Sequence, residues 1–209
     1  MRIVPLSVTL EDKLDGMEIL KKIERMGRTC YKSEDKITDD SATKFVRQRL
    51  DEKHVSVIEH VSVTVRIICN RGLSHEIVRH RIGSYSQEST RYCNYNKASE
   101  ITVIKPTGLT TQQETIWSLA MTAAQERYLD LIDLGCSPQV ARGVLPIDLK
   151  TEICVTYNLR TWRWFFTQRC SPAAHPQMQE LAKNTLDLLS AHIPVVFDDL
   201  AKKYIWGLE

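Results

Sequence analysis

The stretch from residue 61 to residue 69 constrains the fold of this chain more than any other. Its apolar residues are separated by single positions and run Val61, Val63, Val65, Ile67 and Cys69. This alternation predicts a β-strand with one apolar face, because successive side chains of a strand point to opposite sides. The segment 70–72 then turns the chain, and Ser74 can cap a short helix that reaches Arg79. Strand, turn, helix and polar loop together present side chains at the rim of a sheet.

Other patterns predict further strands and helices. Alternation predicts strands over residues 1–10, 92–95, 101–105 and 149–158. Helical spacing predicts helices over residues 11–26, 41–53, 111–134 and 137–146, then from 161 onward, over 178–189 and for a turn or two within 197–206. Ser41 is the expected cap of the second helix, and Gly27 and Gly135 are the expected ends of the first and third. The apolar stripe on 111–134 is expected to face the core or a subunit interface.

The overall composition is that of a globular protein. The 209 residues fit one domain, residues 1–209, and 43% hydrophobic with 26% charged content is ordinary. A net charge of +2 does not support a general polyanion binder. There is no apolar run near the roughly 20 residues that cross a bilayer, and the first residues lack the apolar core of a signal peptide. We therefore expect a cytoplasmic protein that binds neither membrane nor nucleic acid.

The cysteines and histidines do not form a metal-binding pattern. The six cysteines are scattered without a C-x-x-C pair, so we expect reduced thiols that mostly act as small apolar side chains. His54 and His60 stand six positions apart in a segment rich in β-branched residues, whereas ligand pairs on a helix stand four apart. No metal site is expected.

The segment from Arg79 to Tyr92 is polar and rich in arginine. Five arginines and no lysine occur between His54 and Asn96. Arginine presents a planar fork that grips a phosphate or a ring edge at two points, whereas lysine is a mobile point charge. The pattern favours an anion-binding loop. The alternatives are a solvated surface and structural ion pairs.

This segment resembles the signature of the flavin-dependent thymidylate synthases. Arg79, His80 and Arg81 are followed after seven residues by Ser89, and Arg91 comes two positions later. The preceding segment 54–60, HVSVIEH, is similar to a second block of the family. The resemblance runs from about Cys30 to Arg169. It implies a single α+β domain with a mostly antiparallel sheet flanked by helices, which assembles as a homotetramer with shared active sites.

The resemblance also implies which residues bind the flavin. FAD contacts are implied for Ser56, Glu59, Arg79, His80, Arg81, Asn158 and Arg160, and His54 is implied to lie beside the isoalloxazine ring with a catalytic role. The chain has no G-x-G-x-x-G, so the flavin cannot rest on a Rossmann phosphate loop. We expect successive positions 79–81 to point in different directions, since helical positions are about 100° apart.

A second set of residues is assigned to the substrate dUMP. It comprises Glu76, Arg79, Gln87, Glu88, Ser89, Thr90, Arg91, Arg142 and Arg169. Arg142 interrupts an apolar helix, and a buried arginine without an anion costs several kcal/mol, of the order of ~3–5. Arg169 is implied to polarise the N3 edge of uracil. Ser89 lacks a His-Asp relay and is interpreted as a hydrogen-bond donor that positions the nucleotide in catalysis.

The chemistry of the uracil ring favours a reduced cofactor. The C5 carbon becomes nucleophilic only when electron density arrives from a thiolate at C6 or from a hydride, and no cysteine is singled out as a thiolate. The resemblance implies that NADPH reduces FAD, that methylenetetrahydrofolate supplies the methylene group, and that dTMP and tetrahydrofolate are released.

Two positions depart from the family pattern. Glu76 stands where an amide is common, and it can bond the ribose hydroxyl or pair with an arginine. Trp164 stands where some members have a polar flavin contact. With Trp162, Phe165 and Phe166 it belongs either to the core or to a flavin-stacking surface. A nucleic-acid-binding module and a relative without turnover remain the rival hypotheses.

Overall fold

The predicted strand over 61–69 forms as β3 (Ser62–Asn70). Its inward residues Val63, Val65, Ile67 and Cys69 are fully buried. The predicted strand over 149–158 forms as β6 (Lys150–Asn158), with the same alternation of buried and half-buried positions. The two strands are antiparallel, since the Leu159 amide donates to the Val61 carbonyl at one end and the Arg71 amide donates to the Leu149 carbonyl at the other.

The structure describes residues 1–95 and 100–208, which divide into two compact units. The first unit comprises Met1–Ser7, Ile67–Arg79 and Tyr85–Cys154. The second comprises Val8–Arg66, His80–Ser84 and Val155–Glu209. β3 and β6 each contribute residues to both units. The units are therefore not two halves of the sequence.

Two further strands complete the main sheet. β2 (Ser7–Leu10) and β4 (Ser84–Gln87) give the strand order β2-β3-β6-β4. β1 (Arg2–Ile3) pairs in parallel with β5 (Thr102–Val103) in a separate two-stranded sheet. The single strand predicted over 1–10 is thus two strands, and the predicted strand over 92–95 is turn and loop. β4 lies in the segment that had been predicted as polar loop. It has no buried face, since its residues alternate only between exposed and half-buried.

The helices follow the predicted order with shifted ends, and the α+β class is confirmed. They are α1 (Gly16–Thr29), α2 (Ser41–Asp51), α3 (Arg71–Ile77), α4 (Thr111–Asp133), α5 (Pro138–Ala141), α6 (Leu159–Arg169), α7 (Pro176–His192) and α8 (Pro194–Ala201). Short 3₁₀ turns occur at Glu34–Lys36, Val55–His60 and Arg142–Val144, and a π-helical turn at Lys202–Trp206. The segment 54–60, which is rich in β-branched residues, is therefore mostly a 3₁₀ helix rather than a strand.

Two helix starts differ from the prediction because other side chains cap them, and a third, that of α2, has no side-chain cap. The Asn70 side chain accepts a hydrogen bond from the Leu73 amide at 2.8 Å, and the Asn158 side chain accepts one from the Thr161 amide at 2.8 Å. α3 and α6 consequently begin directly after β3 and β6, earlier than a cap at Ser74 or a helix start at Thr161 would place them. Ser41 is the first residue of α2, and its hydroxyl donates to the Glu24 carboxylate at 2.8 Å.

Gly27 does not end the first helix, as had been predicted. It lies within α1, which continues to Thr29. A Cβ at Gly27 would stand 2.7 Å from the Phe45 ring, so the glycine permits the close approach of α1 and α2. Gly135 has a φ of +88° and directly follows α4, as predicted.

Each unit has its own apolar cluster. In the second unit the fully buried rings of Trp162, Phe165, Phe166 and Phe197 contact one another, with centroids 5.6–5.7 Å apart. The Trp162 indole donates to the Val63 carbonyl at 3.0 Å. In the first unit the buried cluster comprises Ile101, Val103, Met121 and Leu149.

The long helix α4 leaves much of its apolar stripe uncovered. Ile116 is 70% exposed and Leu119 is 67% exposed, whereas Met121 and Tyr128 are buried. A core role for the whole stripe is therefore wrong. The interface alternative stays a prediction. None of the helices in the described residues is long and apolar enough to cross a membrane.

Gly83 provides a test of the close contact beside β4. A Cβ at this position would lie 2.2 Å from Cε1 of Tyr157, which is buried. We expect Gly83→Ala to lower the free energy of unfolding by about 1–3 kcal/mol, because the ring cannot move without disturbing the core. Urea denaturation measures this change.

Gly143→Ala is the matched control. An added Cβ there meets no atom within 4 Å. Its effect should stay within about 0.5 kcal/mol. Equal effects of the two substitutions would contradict the packing argument.

Candidate active site

The arginine-rich segment follows α3 as a turn rather than as helix. α3 ends at Ile77, so the helical reason given for the differing directions of residues 79–81 is wrong. The differing environments nevertheless exist, since Arg79 and Arg81 are exposed and His80 between them is only 7% exposed. The alternation arises in the turn that joins α3 to β4.

His80 fixes Arg169, a residue 89 positions later in the chain. The Arg169 Nε donates to His80 Nε2 at 2.9 Å. The imidazole meets the Phe165 ring edge-on, with centroids 4.9 Å apart. Burial, and then the charge of Arg169, lower the pKa of His80 to about 4. The ring is therefore neutral near pH 7, with its proton on Nδ1 and an acceptor at Nε2.

Three residues predicted near the flavin line one pocket in the second unit. His54, Ser56 and Arg160 surround a space of about 350 Å³, together with Tyr31 and Arg49. Sequence reasoning had not selected Tyr31 or Arg49. Arg49 belongs to the stripe of the helix predicted over 41–53, where one arginine among apolar residues is a weak signal.

Glu59, His54 and Asn158, also predicted near the flavin, each have a partner within the chain. Glu59 forms an ion pair with Arg160, and His54 Nδ1 lies 3.4 Å from the Glu52 carboxylate. The Asn158 side-chain oxygen Oδ1 caps α6 by accepting from the Thr161 amide. These contacts fix the side chains at one end of β6 and at the start of α6.

The predicted substrate residues, apart from Arg169, lie in the first unit. Gln87 Nε2 donates to the hydroxyls of Ser74 at 2.8 Å and Thr151 at 3.1 Å. Arg71 Nη1 donates to the Glu88 carbonyl at 3.0 Å and to the Thr151 hydroxyl at 3.2 Å. Arg71 had been considered only part of a turn. The sequence signal that could have singled out Arg71 is its place between His54 and Asn96, a stretch with five arginines and no lysine.

Glu88 is held by two partners from the same chain. Its carboxylate accepts hydrogen bonds from Lys150 Nζ and from the Tyr95 hydroxyl, each at 2.9 Å. Burial, followed by the Glu88 carboxylate, raises the pKa of Tyr95, which keeps its phenol protonated as a donor. This network offsets the one negative charge of the arginine-rich segment. Glu88 therefore supports the loop through these partners.

The last part of the segment gathers hydroxyls and arginines. The Ser89 hydroxyl accepts from the Arg91 amide at 3.3 Å, and the Thr90 hydroxyl accepts from Arg142 Nη1 at 3.1 Å. Arg142 is exposed on the 3₁₀ turn, so its predicted burial in an apolar helix is wrong. In place of the helix predicted over 137–146, α5 ends at Ala141 and does not include Arg142. Glu76, on α3, is half-buried.

The core role holds for three of the four aromatic residues of α6, and the flavin-stacking role of Trp164 stays a prediction. Trp162, Phe165 and Phe166, spaced by three and one, are fully buried and belong to the core. Trp164 points away from that face and is 56% exposed. It lies one turn beyond Arg160, on the outer side of the helix.

The cysteines are free thiols, and two of them are deeply buried. Burial raises the pKa of both the Cys69 and the Cys170 thiols to about 12. A thiolate nucleophile is disfavoured at these two positions. Within residues 1–95 and 100–208, no group of three His, Cys, Asp or Glu side chains is arranged to hold a metal ion.

Comparison with known proteins identifies the class to which this fold and side-chain set belong. Residues 14–195 match the family described as "Thymidylate synthase complementing protein". The chain is 37% identical over 197 residues to a flavin-dependent thymidylate synthase of Mycolicibacterium gilvum, covering 85% of this chain and 78% of the relative. It is 34% identical over 188 residues to one of Geobacter sulfurreducens, covering 86% and 81%.

Solved structures share the fold. Thymidylate synthase X from Helicobacter pylori, determined with FAD and dUMP, aligns with a TM-score of 0.77 at 23% identity over 94% of this chain and 99% of that one. The UMP/dUMP methylase PolB from Streptomyces cacaoi, bound with 5-Br dUMP, aligns with a TM-score of 0.79 at 21% identity over 98% of both chains.

These findings define an enzyme class, the thymidylate synthases that use a flavin. The chain belongs to the flavin-dependent thymidylate synthase family. The resemblance in residues 79–91 is thereby confirmed, and the enzyme is favoured over the nucleic-acid-binding alternative.

The lowered pKa of His80 predicts a measurable pH dependence of stability. Between pH 6.5 and about 4 the unfolded imidazole binds a proton that the folded one does not, so acid destabilises the folded chain through this residue. His80→Gln lacks this group. We expect the variant to gain stability relative to the wild type as the pH falls through that window. Urea unfolding at pH 7 and pH 5 measures the difference, and parallel pH profiles would contradict it.

Proposed function

We propose that the chain reductively methylates dUMP to dTMP, with FAD as the bound cofactor. One molecule each of dUMP, methylenetetrahydrofolate and NADPH, with one proton, yields dTMP, tetrahydrofolate and NADP⁺. The carbon gained by C5 of uracil comes from the folate, and the two electrons come from NADPH. The family membership supports the class of reaction, and the side chains described above support the roles that follow.

The residues around Ser56 and Arg160 fit an anionic, ring-bearing cofactor. The pocket of about 350 Å³ combines the Ser56 hydroxyl, the Arg160 guanidinium and the exposed ring of Tyr31. Its volume lies in the ordinary range of ligand sites, about 300–1,000 Å³. In this proposal Ser56, Glu59, Arg79, His80, Arg81, Asn158 and Arg160 hold FAD, and His54 lies beside its ring. When bound, FAD supplies the hydride that the uracil receives.

The phosphate and the sugar of dUMP are assigned to the arginine-rich segment. Arg79 and Arg91 are exposed and carry fixed charges, and Arg142 is tied to this segment through Thr90. Arginine forks bind phosphate oxygens in two places at once. Ser89 adds a hydroxyl donor, and Gln87, Glu88 and Glu76 complete the proposed set. Glu88 acts through its bonds to Lys150 and Tyr95, which orient the loop.

The observation that carries the proposal is the fixed position of Arg169. A neutral His80 accepts from its Nε, so the guanidinium is oriented before any ligand binds. We assign the remaining N–H groups of the Arg169 guanidinium, those on Nη1 and Nη2, to the N3 edge of uracil. A permanent positive charge there stabilises the electron density that builds on the ring during hydride transfer. No cysteine nucleophile is part of this mechanism, which agrees with the raised pKa values of Cys69 and Cys170.

The same proposal includes the assembly and the setting of the enzyme. We expect residues 1–209 to act as one domain in a homotetramer, in the cytoplasm. The exposed Ile116 and Leu119 of α4 supply apolar surface that a subunit contact would cover. Six free thiols agree with a reducing compartment.

The visible absorbance spectrum of the purified protein tests the function most directly. We expect a yellow protein whose flavin bands bleach when NADPH is added without oxygen, and whose colour returns when dUMP and methylenetetrahydrofolate follow. Formation of dTMP in the same sample confirms methyl transfer. Bleaching without dTMP would indicate a relative that lacks turnover. A colourless protein that takes up no added FAD would overturn the proposal.

Two arginine variants separate the proposed roles. Arg169→Ala should lower kcat by about 10²-fold or more while FAD stays bound, because it removes stabilisation of the reacting ring. Arg81→Ala should lose FAD, which gel filtration followed by absorbance measures.

Arg127→Ala is the control, since Arg127 is 64% exposed on α4 and pairs only with Glu126 and Asp130 among the described residues. It should keep both FAD and activity. Equal flavin content and equal activity in the Arg169 and Arg81 variants would show that the two roles are wrongly assigned.

A further inference from the structure

Asp148 joins α4 to the start of α3 through two hydrogen bonds, and none of the roles proposed above uses it. Its Oδ2 accepts from Trp117 Nε1 at 2.8 Å, and its Oδ1 accepts from Asn70 Nδ2 at 3.0 Å. Asp148 and Trp117 are half-buried, and Asn70 is only 5% exposed. Trp117 packs against the apolar cluster of the first unit. We call these three side chains the Asp148 network.

The carboxylate of Asp148 determines which way the Asn70 amide faces. An asparagine amide has an oxygen that accepts and an NH₂ group that donates, and the two ends have nearly the same shape. A carboxylate only accepts, so it selects the orientation in which Nδ2 faces Asp148. In that orientation Oδ1 faces the Leu73 amide, from which it accepts at 2.8 Å. The reversed amide would set oxygen against oxygen and N–H against N–H, and both contacts are unfavourable.

The start of α3 depends on this orientation, because three successive amides there need acceptors. Those of Arg71 and Gly72 donate to carbonyls of the segment 147–149, at 3.1 and 3.3 Å. That of Leu73 donates to the Asn70 side chain, which the network orients. The segment 147–149 therefore fixes the first turn of α3 twice, directly through its backbone and indirectly through one side chain.

α3 in turn holds two residues that are assigned to the substrate. The Ser74 hydroxyl accepts from Gln87 Nε2 at 2.8 Å, and Arg71 Nη1 donates to the Glu88 carbonyl at 3.0 Å. Ser74 and Arg71 both lie on α3. A shift or rotation of α3 therefore displaces the partners of both Gln87 and Glu88.

We propose that Asp148 is a positioning residue of the substrate site. It orients the Asn70 amide, which fixes α3, and α3 holds Gln87 and Glu88 in place for the nucleotide. Asp148 itself does not touch the substrate. The inference rests on the proposed function, since dUMP is the ligand whose binding reports the change. It concerns the binding of dUMP and involves neither the flavin nor the chemical step.

The variant Asp148→Asn tests the orientation of the amide with little change of shape. The new side chain keeps an oxygen for Trp117 but then presents an NH₂ group to Asn70 Nδ2, so donor faces donor. We expect KM for dUMP to rise about fivefold, with kcat within about twofold of the wild type and FAD content unchanged. A KM equal to that of the wild type would overturn the inference.

Exchanging the two side chains restores the pattern of donors and acceptors. In the double variant Asp148→Asn with Asn70→Asp, the new carboxylate accepts from the Leu73 amide and from the new amide, which keeps its oxygen for Trp117. Asn70→Asp alone instead sets two carboxylates against each other across the present 3.0 Å contact, and these repel. Each single variant should raise KM, and the double variant should return to within about twofold of the wild type. Impairments that simply add would overturn the inference.

Two controls separate positioning from general stability. Trp117→Phe removes the other hydrogen bond of Asp148 but leaves the bond to Asn70. It should lower the urea midpoint of unfolding while KM stays within about twofold of the wild type. Asp187→Asn makes the same change of charge at an exposed position of α7 and should behave as the wild type does. A rise in KM as large in Trp117→Phe as in Asp148→Asn would assign the effect to lost packing and overturn the inference.

Hydrogen exchange of the ligand-free protein gives a readout that needs no turnover. Mass spectrometry of peptides that cover residues 71–77 and 84–88 measures it. Asp148→Asn should exchange about fivefold faster in both segments, and the double variant should exchange as the wild type does. Faster exchange confined to residues 71–77 would show that the effect stops at α3, and would overturn the inference. If the wild type forms no dTMP while exchange follows the expected pattern, the proposed reaction fails and the role of Asp148 in holding residues 87 and 88 stands.

Discussion

The antiparallel pairing of β3 with β6 is the constraint on which the local structure of the candidate site depends. Each strand carries apolar residues on alternate positions, and each ends in an asparagine whose side chain caps a helix that starts at once. Asn70 starts α3, which leads to the arginine-rich segment, and Asn158 starts α6, which carries Arg160 and Arg169. The direct passage from strand to capped helix fixes where both groups of candidate site residues begin.

Burial of a few polar groups determines the chemistry of these side chains. His80 is held neutral by its apolar surroundings and by Arg169, and neutrality is what makes its Nε2 an acceptor. Tyr95 is kept protonated by burial beside Glu88, so it acts as a donor. Burial selects the neutral state of His80, whereas for Tyr95 it reinforces a state that a phenol already has near pH 7. In both cases the neutral group orients a charged neighbour.

Much of the fold was readable from periodicity, with errors at the ends of elements. The strands over 61–69 and 149–158 and the helix over 111–134 were found because each has a long, regular pattern. β4 was missed because it has no apolar face, and the 3₁₀ helix at Val55–His60 was missed because β-branched residues do not favour a helix. Gly27 was interpreted as a helix end, whereas the packing of Phe45 requires a glycine inside the helix.

The sequence by itself determined the family, through the spacing of Arg79, His80 and Arg81 to Ser89 and Arg91, and it determined the two principal strands. Only the tertiary structure decided which of these side chains are buried, which are paired and which remain exposed. His80 and Arg169 are 89 positions apart, and Trp164 and Trp162 are two apart yet lie on opposite sides of α6. Periodicity reports on neighbours along the chain, whereas burial and protonation depend on residues that meet only after folding.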